Sequence, residues 1–413
     1  MPTRNQARYL RAAVGSVMAD GIDTLLFVQD GASTDGTCAL LSDMAATNPR
    51  MDVVSEPDDG PADALNRAFG RALRSGAPVL GWLNSDDLYT PGALQRALAH
   101  FERNPGHLAV YGEAEHVDAE GRRIGRYPTR PPGEPLALWQ QGCPICQPTV
   151  FLRREALQSL LPLDTGLRTA FDFELWLRLF KRDAGRIGFI PAVQAQSRLH
   201  AEGITLRLRE QVALEGMAVV HRHLGVAAPH WLLTHAAEAL ARCPFDAPAS
   251  EVQHHLLELV RRSEALLGPK GTAALAQQLR QSLAWRLADA GVGSSVQADG
   301  WAGPVLDLRL HQRDSTQLPW RSLRLEGRHA WPRPGRLRLH LTAWLDGVAV
   351  ARTTAWWRRG FALDIPLPAT PAGRPLHVQV RCDGSFVPAE QLRASTDTRQ
   401  LAYRLERLQP QPA

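Results

Sequence analysis

Over roughly the first half of the chain, short apolar runs alternate with stretches of helical periodicity. Thr24 to Val28 is an apolar run that predicts a buried strand, and it ends in the polar turn Asp30 to Gly36. Met51 to Val54 predicts a second strand. Pro61 to Leu73 follows, with Ala64, Leu65, Ala68, Phe69 and Leu73 on one helical face. Val79 to Leu83 predicts a third strand that runs into Asn84-Ser85-Asp86-Asp87. A helix is expected from Pro91 to about Asn104, with Asp87 or Thr90 as its candidate N-cap. Alternating strands and helices predict an α/β sheet, and its polar clusters fall just past strand carboxyl ends, where such sheets bind ligands.

The pattern then changes twice. Leu206 to Asp289 carries helical repeats such as Leu256, Leu257, Val260 and Leu266, and its histidines (His221, His223, His254, His255) suit solvated helix faces. From Gly291 onward, Val305 to Leu310, Leu323 to Leu325, Leu337 to Leu345 and Leu376 to Val380 alternate at period two. Asp346-Gly347 between two of these runs signals a tight hairpin. The expected organisation is an α/β domain over 1–205, a helical linker or bundle over 206–290, and an antiparallel β-sandwich over 291–413 with a frayed end from Gln409.

Composition narrows this only modestly. The 413 residues suffice for two or three domains, and 44% hydrophobic with 22% charged residues is ordinary for a globular protein. Apolar runs are too short to cross a bilayer, and Met1 to Arg11 lacks the apolar core of a signal peptide, so a cytoplasmic location is expected. The net charge of +5 rests almost wholly on arginine, lysine occurring only at Lys181 and Lys270. The arginines are spread along the chain. That fits a compositional bias better than a basic face for an anionic substrate or membrane, and no nucleic-acid partner is expected. Five scattered cysteines argue against a disulfide framework. Cys143 and Cys146 have zinc-ligand spacing but lack a matching second pair, so two thiols in a buried loop are the better reading.

An Asp pair after a strand is by itself weak evidence, because Asp is common in turns and caps. The ordered series of motifs is far more specific. Val28 to Thr37, containing Asp30-Gly31-Ala32-Ser33-Thr34-Asp35-Gly36-Thr37, resembles the opening signature of family-2 glycosyltransferases. Ser55 to Gly60 with Ala62-Asp63-Ala64-Leu65-Asn66 is similar to that family's next block, and Leu83 to Asp87 to its metal-binding D-x-D block. Cys146 to Phe151, Asp172 to Leu177 and Leu199-His200 resemble its later segments.

The resemblance implies a GT-A (Rossmann-like) mixed sheet with flanking helices and an inverting transfer from a nucleotide-sugar donor to a glycan or lipid-linked acceptor in bacterial cell-surface polysaccharide synthesis. It also implies a Mg or Mn cation and peripheral contact with the inner membrane. Carried over by position, Thr3, Asn5, Asp30, Asp63 and Asn84 would bind the donor. Asp86 and His200 would hold the metal, and Asp172 would be the general base. Asn84 stands where the double-acid form has a carboxylate; it keeps an oxygen but no charge. Members of the family begin with a buried strand before the Pro2-Thr3-Arg4-Asn5 loop, whereas here the chain starts at that loop, so a longer natural chain is expected. The alternative reading is a catalytically impaired glycan-binding or scaffolding protein. In the last segment, Trp301, Trp331, Trp344, Trp356 and Trp357 are expected in the core rather than stacked on sugars.

Overall fold

The computed structural model describes residues 1–226, 228–242, 249–297, 299–310, 320–332, 336–368, 375–388 and 399–412. Cys243 and the expected frayed residue Ala413 lie outside them. The chain forms two units, Met1–Ala228 and Pro229–Ala413.

The first unit opens with β1 (Pro2–Thr3), α1 (Ala7–Met18), β2 (Leu26–Asp30), α2 (Thr37–Thr47), β3 (Met51–Ser55) and α3 (Pro61–Arg74). Strands β1, β2 and β3 pair in parallel, so Pro2 and Thr3, expected in a loop, instead sit opposite Gln29 and Asp30. Helix α1 turns Leu10, Ala13, Val14 and Val17 inward at helical spacing, and α3 starts at the proline whose missing N–H costs a first turn nothing. Next come β4 (Val79–Gly81), β5 (Leu88–Tyr89), α4 (Ala93–Arg103), β6 (Ala109–Val117), β7 (Arg123–Arg126), β8 (Phe151–Arg153) and α5 (Arg154–Leu160). The unit continues with α6 (Phe171–Asp183), β9 (Ile187–Arg198), α7 (Ile204–Arg207) and α8 (Arg209–Leu224).

These strands build a mixed six-stranded sheet in the order β4-β8-β6-β9-β5, with β7 on β6. Leu10, Val28, Leu83, Phe101, Val110 and Phe151 share one buried cluster. Neither Asp87 nor Thr90 caps α4. Asp20 does so from 72 residues away, accepting from Gly92 N at 2.8 Å and Leu94 N at 3.1 Å, while the Thr90 hydroxyl donates to the Val193 carbonyl.

The second unit begins with helices α9 (His230–Arg242), α10 (Ala249–Arg262), α11 (Glu264–Gln281) and α12 (Leu283–Asp289). Its strands are β10 (Val292–Ser294), β11 (Trp301–Ala302), β12 (Val305–Leu310), β13 (Trp320–Arg328), β14 (Arg338–Leu345), β15 (Val348–Trp356), β16 (Gly360–Pro366), β17 (Leu376–Cys382) and β18 (Tyr403–Pro412). They form two antiparallel sheets, β10-β12-β17-β14-β15 and β11-β18-β13-β16, and Leu308, Leu325, Leu341, Val378 and Tyr403 belong to one core. Asp346 and Gly347 both take positive φ (47° and 86°), the type I′ geometry that joins β14 to β15 in a two-residue turn.

Two expectations fail here. Gln409 to Pro412 is not frayed; it continues β18 against β13, with Gln409 opposite Arg324. The tryptophans do not all enter the core. Trp331 is buried and donates to the Ala402 carbonyl, and Trp301 and Trp357 pack on the core, but Trp344 and Trp356 stand on the other face of their sheet. Period-two alternation sets which residues share a face, not which face is covered. Among the described residues, no helix is long and apolar enough to cross a membrane.

Candidate active site

In the first unit, the segments after β1, β3, β4 and β9 converge with the start of α6 around a cavity of about 1270 Å³. Thr3, Asn5, Asn84, Asp86, Asp172 and His200 all line it. Asp30 and Asp63 do not.

Antiparallel pairing of β5 with β9 (Leu88 opposite Gln196) ties the Asn84–Asp87 turn to the strand that leads to His200. His200 is buried against the Tyr9 ring, 4.8 Å between centroids, and its Nε2 lies 3.0 Å from Asp86 Oδ2. Asp87 is buried beside them. Burial first, and then the neighbouring Asp86 charge, push its carboxyl well above the usual range, although Arg198 N donates to it at 2.9 Å and Asn84 Nδ2 at 3.3 Å. Asn84 therefore does something a carboxylate could not. It accepts from the Trp82 indole N–H at 2.9 Å and donates to Asp87, avoiding a third negative charge. The Arg198 guanidinium donates to the Asp86 carbonyl at 2.9 Å and lies over the Tyr9 ring.

Asp86 and His200 together offer one carboxylate oxygen and one imidazole nitrogen. Among the described residues, no group of three or more His, Cys, Asp or Glu is placed to hold a metal. The pair suits a divalent cation that keeps several coordination positions for ligand oxygens, as a cation shared with phosphates does.

Asp172 lies in the first turn of α6 but is not its N-cap, which is Ala170. The backbone leading into that helix is held by Glu215 of α8, which accepts from Arg168 N (3.0 Å), Thr169 N (2.8 Å) and Ala170 N (3.0 Å). With that role filled, Asp172 faces the cavity. Burial raises its pKa to about 6, opposed by the Phe173 N–H that donates to it at 2.7 Å. A carboxyl with a pKa in that range can accept a proton near neutral pH. Glu174 points elsewhere and is paired with Arg178 (2.9 Å) and His223 (3.0 Å).

Asp30 is completely buried. Burial alone would raise its pKa, but donors from Ser33, Ser55 (2.6 Å) and Cys38 outweigh that and lower it. Asp63 accepts from Asp59 N and pairs with Arg67 at 2.6 Å. The carboxylates that do reach the cavity from this block are Asp58, raised by burial, and Asp59. Gly31 makes room for it, since a Cβ there would stand 2.6 Å from Asp58 Oδ2. Asp35 also lines the wall, and it ties α1 to α2 by accepting from Ala7 N and Thr37 N. Asn5, at φ 54°, receives Thr34 N. Thr3 Oγ1 and Gln147 Oε1 are buried at the cavity wall without hydrogen-bond partners, as expected of groups that await a ligand.

Sequence reasoning missed Asp58, Gln147, Tyr127, Arg198 and the supporting Glu215. Asp58 and Gln147 lay inside blocks that the resemblance singled out, Ser55 to Gly60 and Cys146 to Phe151, but were given no role. Cys143 and Cys146 form no metal cluster; burial pushes both thiols up, and Tyr127 donates to the Cys143 carbonyl at 3.0 Å.

An α/β unit with its polar residues gathered past strand ends is built to bind a ligand there. Residues 1–161 match the model of glycosyl transferase family 2, and this amino-terminal domain belongs to that family. Chondroitin synthase of Pasteurella multocida is 29% identical over 125 residues, which are 30% of this chain and 13% of that protein. Chondroitin synthase of Escherichia coli is 25% identical over 208 residues, 50% of this chain and 29% of that protein. The chain thus spans 13% and 29% of the length of these relatives. Among solved structures, S. aureus TarS in complex with UDP matches with a TM-score of 0.45 and 15% identity, covering 70% of this chain and 86% of that one.

Proposed function

We propose that the first unit moves a sugar from a nucleotide-diphosphate donor to a glycan or lipid-linked acceptor, with inversion, in the synthesis of a cell-surface polysaccharide. The observation that carries this reading is the Asp86–His200 pair on the wall of the same cavity as Asp172. Thr3, Asn5 and Asp58 would bind the nucleoside side of the donor, and Asp86 with His200 would hold a Mg or Mn ion. Such a cation supplies positive charge to the leaving diphosphate. Asp172 accepts the proton of the acceptor hydroxyl as that oxygen bonds to the anomeric carbon. The bond from that carbon to the β-phosphate oxygen breaks, and its electron pair leaves with the nucleoside diphosphate. Asn84 keeps Asp87 in place beneath the pair. A lipid-linked acceptor would bring the chain to a membrane's inner face.

The test is release of nucleoside diphosphate from a panel of nucleotide sugars, with and without Mn²⁺. Metal-dependent release from one donor supports the reading. Failure to bind any donor by calorimetry would favour a scaffolding role.

A further inference from the structure

The five-stranded sheet of the second unit has two unlike faces. Leu306, Leu308, Leu341 and Val380 point one way and are fully buried in the core. The alternate residues point the other way, and the strand register sets them in rows. Arg381, Thr342 and Arg352 are direct neighbours across β17, β14 and β15. Asp307, Gln379 and Trp344 form the next row across β12, β17 and β14, and Arg338 lies opposite Trp356.

Two guanidinium–indole stacks organise this face. Arg338 lies 4.3 Å from the Trp356 ring centroid and Arg381 5.1 Å from that of Trp344. Stacking leaves in-plane N–H donors of a guanidinium available for a carboxylate or sulfate; in Arg381 the Nε and Nη2 groups donate to Gln379 Oε1 (3.3 and 2.8 Å), which leaves Nη1. None of the described carboxylates pairs with Arg338, Arg352 or Arg381, whereas Asp383 at the strand end is matched by Arg336 at 2.9 Å. The one acid within the rows, Asp307, accepts from Gln379 at 2.9 Å and lies 3.0 Å from His377 Nε2. Trp356 is 46% exposed.

We propose that this outer face binds an anionic glycan: Arg338, Arg352 and Arg381 hold its acidic groups, and its sugar rings rest against Trp356 and Trp344. The charge is complementary. Arg352 and Arg381 flank β14, so their backbones are about 10 Å apart, and the five strands span about 19 Å, the footprint of an extended oligosaccharide rather than one sugar. Flat indole faces suit the apolar faces of sugar rings, and Thr342 supplies a hydroxyl partner. Val305, 42% exposed, shares the row of Arg381, and Leu337, 61% exposed, precedes Arg338, so DNA and lipid vesicles are included as rival probes. The charge balance of the whole chain hid this cluster, because its arginines are 14 to 43 residues apart in sequence.

The experiment uses the full chain in affinity electrophoresis at about 0.1 M salt, with four probes: polygalacturonate, dextran, duplex DNA and phosphatidylglycerol vesicles. Retardation by polygalacturonate and not by dextran is expected. Arg352→Ala with Arg381→Ala should weaken it roughly tenfold or more, and Trp356→Ala should weaken it severalfold, with unchanged melting temperatures. Equal retardation of wild type and the double variant overturns the proposal. So does equal retention by dextran, or stronger binding to DNA or vesicles than to polygalacturonate. Donor binding by the same proteins, followed by calorimetry, reports separately on the transfer site.

Discussion

Three carboxylates at the cavity wall of the first unit and two on the exposed surface of the second are treated in opposite ways. Asp58, Asp87 and Asp172 all line the cavity, and burial raises all three. In the second unit, side-chain hydrogen bonds from Arg261 and Arg324 hold Glu258 and Glu326 below the usual range. The first arrangement works against stability and is what an acid–base site needs; the second is ordinary surface pairing. At all three, burial outweighs the hydrogen bonds and the nearby arginines, Arg4 and Arg67 at Asp58 and Arg198 at Asp87.

Four substitutions probe that contrast, taken from the largest expected effect downward. Asp86→Ala should cut transfer by about a thousandfold or more by removing the carboxylate that lies 3.0 Å from His200 Nε2. Initial rates with and without EDTA check this, since the residual activity should be insensitive to chelation. Asp172→Asn should lower the rate by roughly 10² to 10⁴. If Asp172 is the base it must be unprotonated to act, so the rate should fall as pH drops through about 6, which a pH–rate profile would read.

The same residue makes a stability prediction of opposite sign. Its folded pKa lies above the unfolded value of 3.8, so its penalty is absent below about pH 4 and complete above about pH 6. Asp172→Asn should then gain up to about 3 kcal/mol at pH 8 and nothing at pH 4, measured by urea unfolding. In the second unit, Leu308→Ala should cost about 2–5 kcal/mol by opening a cavity in a filled core. Arg324→Ala, which removes exposed pairs to Asp364 and Glu326, should cost under about 1 kcal/mol.

Much of this molecule was legible in its sequence because much of it is local. The run Val305 to Leu310 is β12 to the residue, the helix at Pro61 starts where proline allows it, and Asp346-Gly347 makes the turn its side chains favour. The illegible parts depend on long-range partners. Glu215 supports the start of α6 from 45 to 47 residues away, and Asp20 caps α4 from 72. Asp30 looked like a ligand-binding carboxylate because its motif has that form, but Ser55 on the next strand helps to saturate it. Asp86 and His200 lie 114 residues apart, and their meeting was suggested by resemblance alone, since no periodicity joins them.

The most direct test of the central claim measures donor affinity and sugar transfer on one preparation of Asp172→Asn beside the wild type, with Mn²⁺ at pH 7.5. If Asp172 acts as the base at the cavity shared with Asp86 and His200, the variant binds the nucleotide sugar as tightly as the wild type yet transfers it at least about a hundredfold more slowly. Full transfer by the variant, or equal losses of affinity and rate, would contradict it.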